Sequence, residues 1–208
     1  MTNEEIAKIA RPADLRIARA LNAIGDVHCQ ICGRPIRAKT GVIAHHGYTR
    51  PQYGSGWQTA SCYGARALPY EVSTDRLPGA IAECGAWKAR IEQRLADLEG
   101  TPTIANPRHA AWLKAKLQGR TRRTDGTEYT EPAPTLEYPG DPQPDEPRDT
   151  RIARFDYTQT LEAYRRDACH EHASAAAELS RLEMRLTTWG AVSIERQRSI
   201  AAAKRALP

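Results

Sequence analysis

The sequence is poor in the residues that build large hydrophobic cores, and it lacks any stretch able to cross a membrane. Only one Phe and two Met occur among its 208 residues, and aromatic residues make up 6% of the chain. No uninterrupted run of about eighteen apolar residues occurs, so no membrane-spanning helix is expected. The first residues are acidic and then mixed, unlike the basic start of a secretory signal, so no signal peptide is expected either.

Net charge and cysteine content indicate which partners and which cellular compartment are compatible with the sequence. Thirty Lys and Arg residues against 25 Asp and Glu residues give a net charge of +5, which is compatible with a nucleic-acid partner but does not require one. The five cysteines are an odd number, and without a secretory signal they favour free or metal-bound thiols over disulfides. We therefore expect a cytoplasmic protein with reduced cysteines.

Three of the cysteines lie within residues 29–62. Cys29 and Cys32 form a C-x-x-C pair followed at once by Gly33. Two thiolates at this spacing can converge on one ion, and the glycine allows the backbone to turn beneath it. A redox-active pair is expected in a βαβ unit, and a disulfide is expected in a secreted protein; the sequence indicates neither. Metal binding is therefore the favoured interpretation.

Two adjacent histidines offer a further ligand. His45 and His46 follow a short apolar run, and Cys62 comes sixteen residues after His46. Neighbouring residues of an extended strand point to opposite faces, so only one of the two histidines is expected to face the ion. His45 is slightly favoured, although the sequence does not separate the two. Three thiolates and one imidazole form a closed tetrahedral ligand set typical of structural Zn2+. The predicted ligands are therefore Cys29, Cys32, Cys62 and either His45 or His46.

Apolar periodicity predicts a mainly α-helical chain. Residues 77–98 and 157–189 repeat apolar side chains at steps of three and four, the second over about four heptads, as in a coiled-coil seam. Two such helices are expected to pack as an antiparallel hairpin. Cys84 lies in the first stripe and is expected to be a buried apolar residue. The predicted helices are residues 3–24 with a kink or break at Pro12, 74–100, 110–117, 155–189 and 194–206, the last capped by Ser193.

The expected organisation has two parts. Residues 1–73 combine the N-terminal helices with a small zinc-bound α+β module, whose β-hairpin turns near Lys39-Thr40-Gly41. Residues 74–208 form a long, coiled-coil-like helical hairpin, with residues 101–150 as an inserted tip and a C-terminal helix. Six prolines between residues 131 and 149 predict a linker or an extended surface segment without a core helix or strand.

Two other clusters carry weaker signals. Arg120, Arg122 and Arg123 form the densest basic cluster and precede an Asp-Gly hairpin turn with an acidic second arm. Pairing of opposite charges across that hairpin explains them without a ligand, so nucleic-acid binding is the weaker interpretation. Cys169 and His172 share a helix face, but two ligands do not complete a metal site, and packing is favoured for them.

The order of the motifs resembles a known scaffold. A C-x-x-C pair, a hairpin, two histidines, a loop rich in glycine and aromatic residues, and a cysteine at a helix start are similar to a treble-clef zinc finger. They resemble in particular the HNH nucleases, in which the second residue of the His pair is a general base that activates water beside a divalent ion. The resemblance implies His46 as the base, His45 as its metal-binding neighbour and Gln58 near the position of the polar residue that orients the base.

Departures from the HNH pattern favour a non-catalytic relative. Cys62 stands alone where the family has a second cysteine pair, so one of the two histidines is expected to serve the structural ion. The orienting asparagine is missing, and Gln58 is the only amide nearby. A site without its orienting residue and its third ligand loses most of its rate. Residues 27–73 and the helix after them also resemble small zinc proteins carried by tailed phages.

Two functions are therefore expected. The favoured one is a non-catalytic, zinc-stabilised binding protein of phage origin that engages a nucleic-acid or host-protein partner in the cytoplasm of a bacterial host. The alternative is an HNH-like, metal-dependent endonuclease that uses His46 as its general base. The length of the 155–189 helix also allows a homodimer.

Overall fold

The computed structural model describes residues 11–25, 27–48, 60–118 and 131–206, and over these ranges the chain is mainly helical, as predicted. The helices are α1 (Pro12–Ile24), α2 (Leu77–Asp97), α3 (Pro107–Leu117) and α4 (Arg148–Ala206). Small antiparallel sheets join β1 (Val27–His28) to β2 (Pro35–Ile36), β3 (Gly47–Tyr48) to β4 (Ala60–Ser61) and β5 (Ile104–Ala105) to β6 (Thr135–Leu136). No described helix combines the length and the hydropathy that a membrane crossing requires.

The chain divides into two compact units. The first unit contains residues 1–89 and 173–208, and it includes the whole segment predicted to bind zinc. The second unit contains residues 90–172. The division differs from the expected boundary after residue 73, because α2 and α4 each contribute residues to both units.

In the first unit, α1 lies against the segment that follows β2. Asn22 Oδ1 accepts a hydrogen bond from the Ala38 amide at 2.6 Å. Gly41 has a left-handed φ of +94°, and a Cβ there would lie 2.9 Å from the Leu15 carbonyl oxygen. Only glycine meets both requirements where this turn touches the helix. Buried apolar side chains of this unit include Ala18, Leu21, Val27, Ile31 and Ile43.

The hairpin of this unit differs from the predicted one. β1 pairs with β2 on either side of the C-x-x-C motif, so the hairpin encloses Cys29 and Cys32 instead of turning at residues 39–41. The predicted turn is present, with the Gly41 amide donating to Ala38 O at 2.9 Å, but it is not flanked by strands in the described ranges. A two-residue ladder next to a ligand pair is too short to give the alternating pattern from which strands are predicted.

Contacts between α2 and α4 occur within each unit. In the first unit the buried Cys84 thiol donates to Ala175 O at 3.5 Å, which confirms the packing role expected for this cysteine. In the second unit Arg94 Nη2 lies 2.7 Å from Glu171 Oε2. Half of the ten positions in the apolar stripe predicted on α4 are buried, namely Tyr157, Leu161, Ala168, Ala175 and Leu182.

In the second unit the proline-rich segment contains no buried strand, as expected, but it does contain a short strand at the surface. Residues 131–149 contain β6, which pairs with β5, and α4 begins at Arg148. The prolines flank Thr135–Leu136 instead of interrupting it, so the backbone groups needed for a short ladder remain available. Asn106 caps α3 by accepting from the Arg108 amide at 2.9 Å, which starts that helix at Pro107 and not at residue 110.

Helix α4 corrects the predicted division of the C-terminal region. It runs unbroken from Arg148 to Ala206, so the helices predicted at 155–189 and 194–206 are one helix. Gly190 lowers helix propensity by about 1 kcal/mol relative to alanine, which is too little to end a helix of this length. Ser193, predicted as an N-cap, is a helix-interior residue that is only 7% exposed.

Several predicted features lie outside the described residues. They are the helix over residues 3–10, the amide Gln58, and the Asp125-Gly126 hairpin with Arg120, Arg122 and Arg123.

Candidate metal centre

The C-x-x-C motif forms a tight turn between β1 and β2. The Gly33 amide donates to Cys29 O at 3.1 Å, and the Cys29 amide donates to Arg34 O at 3.0 Å. Gly33 has a left-handed φ of +72°, which explains why glycine follows the second cysteine. The turn brings both thiols to one side of the hairpin, as the spacing predicted.

The other half of the site comes from β3 and β4. These strands pair Gly47 with Ser61, and the Cys62 amide donates to His46 O at 2.9 Å. The pairing sets His46 beside Cys62, although sixteen residues separate them in the sequence. At Gly64 a Cβ would lie only 2.3 Å from Cys29 Sγ, so no larger residue fits next to the thiols.

Four side chains converge at this point. The ligand atoms of Cys29, Cys32, His46 and Cys62 all lie within 4.8 Å of one another. Cys29 Sγ is 3.7 Å from Cys62 Sγ, well beyond the roughly 2.05 Å of a disulfide bond. Metal–sulfur bonds of about 2.3 Å in a tetrahedral zinc site separate two sulfurs by about 3.8 Å. The observed spacing therefore fits thiols around a shared ion and excludes a disulfide between these two cysteines.

His46, and not the slightly favoured His45, belongs to this group. His46 Nε2 lies 3.3 Å from Cys32 Sγ, while its Nδ1 lies 2.9 Å from Ala44 O. A backbone carbonyl that accepts the Nδ1 proton leaves the Nε2 lone pair for a metal, which is the usual second-shell arrangement of a histidine ligand. His45 Nδ1 instead lies 2.7 Å from the Ser61 hydroxyl. The strand alternation predicted that one histidine would face away, but it could not say which.

The three thiols share hydrogen bonds that divide their charge unequally. Hydrogen bonds with Cys29 and then Cys62 lower the pKa of the Cys32 thiol far below its ordinary value. The hydrogen bond to Cys32 raises the pKa of Cys29, and those with Cys29 and then Cys32 raise the pKa of Cys62. Three crowded sulfurs thus resist carrying three negative charges by themselves. A divalent cation would allow all three to be deprotonated together.

Two arginines of α4 bind the outside of the cysteine turn, and we call Arg181 and Arg185 the arginine clasp. Arg185 Nη2 donates to Cys29 O and Nε donates to Gln30 O, both at 2.9 Å. Arg181 Nη2 donates to Ile31 O at 2.7 Å. Three consecutive carbonyl groups of the turn are therefore satisfied from one helix.

Tyr70 and Trp189 extend this connection. The Arg185 guanidinium lies over the Tyr70 ring at 4.0 Å, and the Tyr70 hydroxyl donates to the Arg185 carbonyl oxygen. Trp189 Nε1 donates to Tyr70 O at 2.6 Å. Trp189 was part of the apolar stripe predicted on α4. Arg185 and Arg181, one and two turns before it, are not apolar, so the periodicity did not predict their role.

Arg185 also matters electrostatically. Burial lowers the pKa of its guanidinium below the ordinary value, and the neighbouring Tyr70, Cys29 and Cys32 offset only part of that shift. In the described residues no carboxylate forms an ion pair with Arg185. A Zn2+ ion bound by three thiolates and a neutral imidazole carries one net negative charge, which this half-buried cation would balance.

No protein-family model, curated protein or solved structure matches this chain. The resemblance to treble-clef and HNH proteins therefore rests on the residues alone. The chemistry of the site is indicated by its donor atoms, their spacing and the contacts that hold them.

Two buried polar side chains lie next to the centre and make contacts that were not predicted from the sequence. Gln30 is fully buried, and its Nε2 donates to Leu68 O and to Asp75 Oδ1, both at 2.8 Å. Glu71 is 3% exposed, and its carboxylate accepts from the His28 amide at 3.0 Å and lies 2.5 Å from His28 Nδ1. These contacts join the cysteine turn to the segment after Cys62. They also direct His28 away from the thiols, although it directly precedes Cys29.

The weaker cluster on α4 does not form a site. Cys169 is exposed, and His172 Nε2 lies 3.1 Å from Glu92 Oε1. Within the described ranges neither belongs to a group of three or more possible metal ligands.

Proposed function

We propose that residues 27–72 form a structural zinc module and that the protein is a non-catalytic, zinc-stabilised binding protein. The observation that carries the proposal is the convergence of Cys29, Cys32, His46 and Cys62 within 4.8 Å. Thiolate and imidazole donors suit Zn2+, whereas Mg2+ and Ca2+ prefer oxygen. Four protein ligands close the coordination sphere, which is typical of structural and not of catalytic zinc.

The test is the metal content of purified protein and of matched variants. We expect about one Zn2+ per chain by elemental analysis. Cys62→Ser should lose the metal, whereas the exposed-cysteine control Cys169→Ser should keep it. His46→Ala should lose or weaken binding and His45→Ala should not. Metal-free protein, or loss of zinc in His45→Ala with retention in His46→Ala, would contradict the proposed ligand set.

We further propose that α2 and α4 form an antiparallel, coiled-coil-like hairpin. The support comes from contacts within the second unit. There Arg94 contacts Glu171, and Arg165 Nε donates to Leu98 O, directly after α2, at 2.9 Å. Residue numbers therefore rise along α2 as they fall along α4. A homodimer through residues 155–189 stays a prediction. Five of the ten positions of the apolar stripe on α4 are already buried within one chain, which leaves the other half of the stripe for a second copy.

The nuclease alternative is less well supported by the geometry. A general base needs a ring nitrogen within reach of water, but the two ring nitrogens of His46 lie against Cys32 Sγ and Ala44 O. A plasmid-nicking assay with Mg2+ or Mn2+ tests the alternative directly. Metal-dependent nicking that disappears in His46→Ala while the variant stays folded would overturn the non-catalytic proposal.

We propose two classes of partner for this binding protein, a nucleic acid or a host protein. Phage origin and a cytoplasmic location are likewise predictions from the sequence. Pull-down from a bacterial lysate with and without nuclease treatment would separate the two kinds of partner.

A further inference from the structure

Positive charge is concentrated in α1 and in the proposed zinc module of residues 27–72, which we call the metal module. Residues 12–72 have seven Lys or Arg residues and three acidic residues. The net charge of this segment is +4, which is most of the +5 of the whole chain. All other residues together are close to neutral. A charge balance this uneven points to a surface made for an anionic partner.

Four of these cations are brought together by the packing of α1 on the turn after β2. Arg16 and Arg19 are three residues apart on α1 and share a face. Arg19 Nε donates to Thr40 O at 3.1 Å, which sets this face beside the turn that carries Arg37 and Lys39. All four side chains are exposed. We call Arg16, Arg19, Arg37 and Lys39 the basic patch.

The charges of the patch are clustered and are not neutralised by carboxylates. Across the described ranges, none of its four side chains forms an ion pair. Elsewhere in those ranges carboxylates pair with arginines, at 2.7 Å for Arg94–Glu171, 3.0 Å for Arg108–Asp156 and 2.6 Å for Arg181–Glu178. Unpaired, solvated cations are the groups that exchange counterions for phosphates.

The composition of the patch also favours phosphate over a protein surface. Ile17, at 38% exposure, is the one exposed large apolar side chain among the side chains described between residues 15 and 41. The centre of a protein interface needs apolar or aromatic anchors and is depleted in lysine. A phosphate backbone needs only cations and hydrogen-bond donors.

We propose that the basic patch of Arg16, Arg19, Arg37 and Lys39 is a docking surface for the phosphate backbone of a nucleic acid. This inference rests on the proposed binding function and selects nucleic acid as the class of partner. Binding through four phosphates predicts weak dependence on base sequence and strong dependence on salt. For duplex DNA the slope of log affinity against log salt should be about −3.6, a loss on the order of 100-fold between 50 and 200 mM salt.

The test measures binding of a fluorescein-labelled 20-base-pair DNA duplex and of a 20-nucleotide RNA by anisotropy, across a salt series. Arg16→Gln, Arg37→Gln and Lys39→Gln are combined in one variant, which leaves the Arg19–Thr40 contact intact. The control combines Arg90→Gln, Arg151→Gln and Arg166→Gln, three exposed cations outside the patch that remove the same charge. Zinc content and circular dichroism are measured for every variant.

The patch variant should lower the salt slope by about 2.7 and the low-salt affinity by at least tenfold, while the control stays within about twofold of the unmodified protein. The DNA and RNA arms tell which nucleic acid binds more tightly. Equal losses in both variants, no binding at 50 mM salt, or equally tight binding of polyglutamate would overturn the inference. Because zinc content is read separately, failure of nucleic-acid binding in zinc-loaded protein would refute the patch and leave the metal module standing.

Discussion

The metal module and the helical second unit use different means to hold their structure. Strands β1 to β4 are only two residues long, and the module buries the polar side chains of Gln30 and Glu71 together with its thiols. The second unit instead buries helix faces, with Tyr157, Leu161 and Ala168 spaced along α4. Order in the module therefore depends on specific ligands and hydrogen bonds, whereas order in the helices depends on repeated apolar contacts.

This difference determines how each region should respond to substitutions and to metal removal. A helix face distributes its stabilisation over many similar contacts, so the loss of one hydrogen bond there costs little. In the module, loss of one ligand should release the proposed ion, and without it the sulfurs, the carbonyl-bound arginines and the buried amide should lose their common framework. We therefore expect large, local effects in the module and small ones in the second unit.

Removal of the metal should have the largest effect. Binding to a structural zinc site contributes on the order of 10 kcal/mol, so chelation or Cys62→Ser should unfold the module. Hydrogen exchange should show lost protection for the amides of β1 to β4 and retained protection around β5 and α3. Cys169→Ser is the control. Simultaneous loss of protection in both regions would show that the two do not differ as described.

Substitution of Gly64 should have the next largest effect. A Cβ at this position would lie 2.3 Å from Cys29 Sγ, so Gly64→Ala should cost about 3 kcal/mol and weaken zinc binding. Gly85→Ala on α2 is the matched control, because nothing lies within 4 Å of a Cβ there. That change should stabilise the protein by about 0.5–1 kcal/mol through helix propensity. Thermal denaturation of both variants, with zinc content, tests the contrast.

Weakening the arginine clasp should have an intermediate effect. Lysine keeps the charge of Arg185 but cannot reach both Cys29 O and Gln30 O, so Arg185→Lys should cost about 2 kcal/mol. Arg166→Lys, at an exposed position without a hydrogen bond or ion pair in the described residues, should be neutral. If urea denaturation gives equal stabilities for the two variants, the clasp contributes nothing beyond its charge.

The smallest effect is expected in the second unit. Tyr157→Phe removes the hydroxyl that donates to Pro102 O at 2.7 Å but keeps the buried ring. The expected cost is about 1 kcal/mol, with zinc content unchanged. A loss of zinc in this variant would mean that the second unit supports the metal site, and that the two regions do not hold their structure independently.

The parts of the fold that repeat were predictable from sequence. Apolar spacing located α2 and most of α4, and Gly33 marked the cysteine turn. The unbroken length of α4 was not predictable, because Gly190 and Ser193 are ordinary signals of a helix boundary and local propensity cannot measure the packing that overrides them. β6 was not predicted, because two residues between prolines are too few to show the alternating apolar pattern of a strand.

For the site itself, sequence determined the chemistry and tertiary structure determined the geometry. The cysteine spacing and the pair of histidines were enough to predict a Cys3His donor set, because ligand type depends only on residue identity. The choice of His46 over His45 came from the register of β3 with β4. The arginine clasp joins residues up to 156 positions apart in the chain. Only the folded chain brings such distant groups together, since hydrogen bonds to backbone carbonyls leave no trace in the sequence of the segment that accepts them.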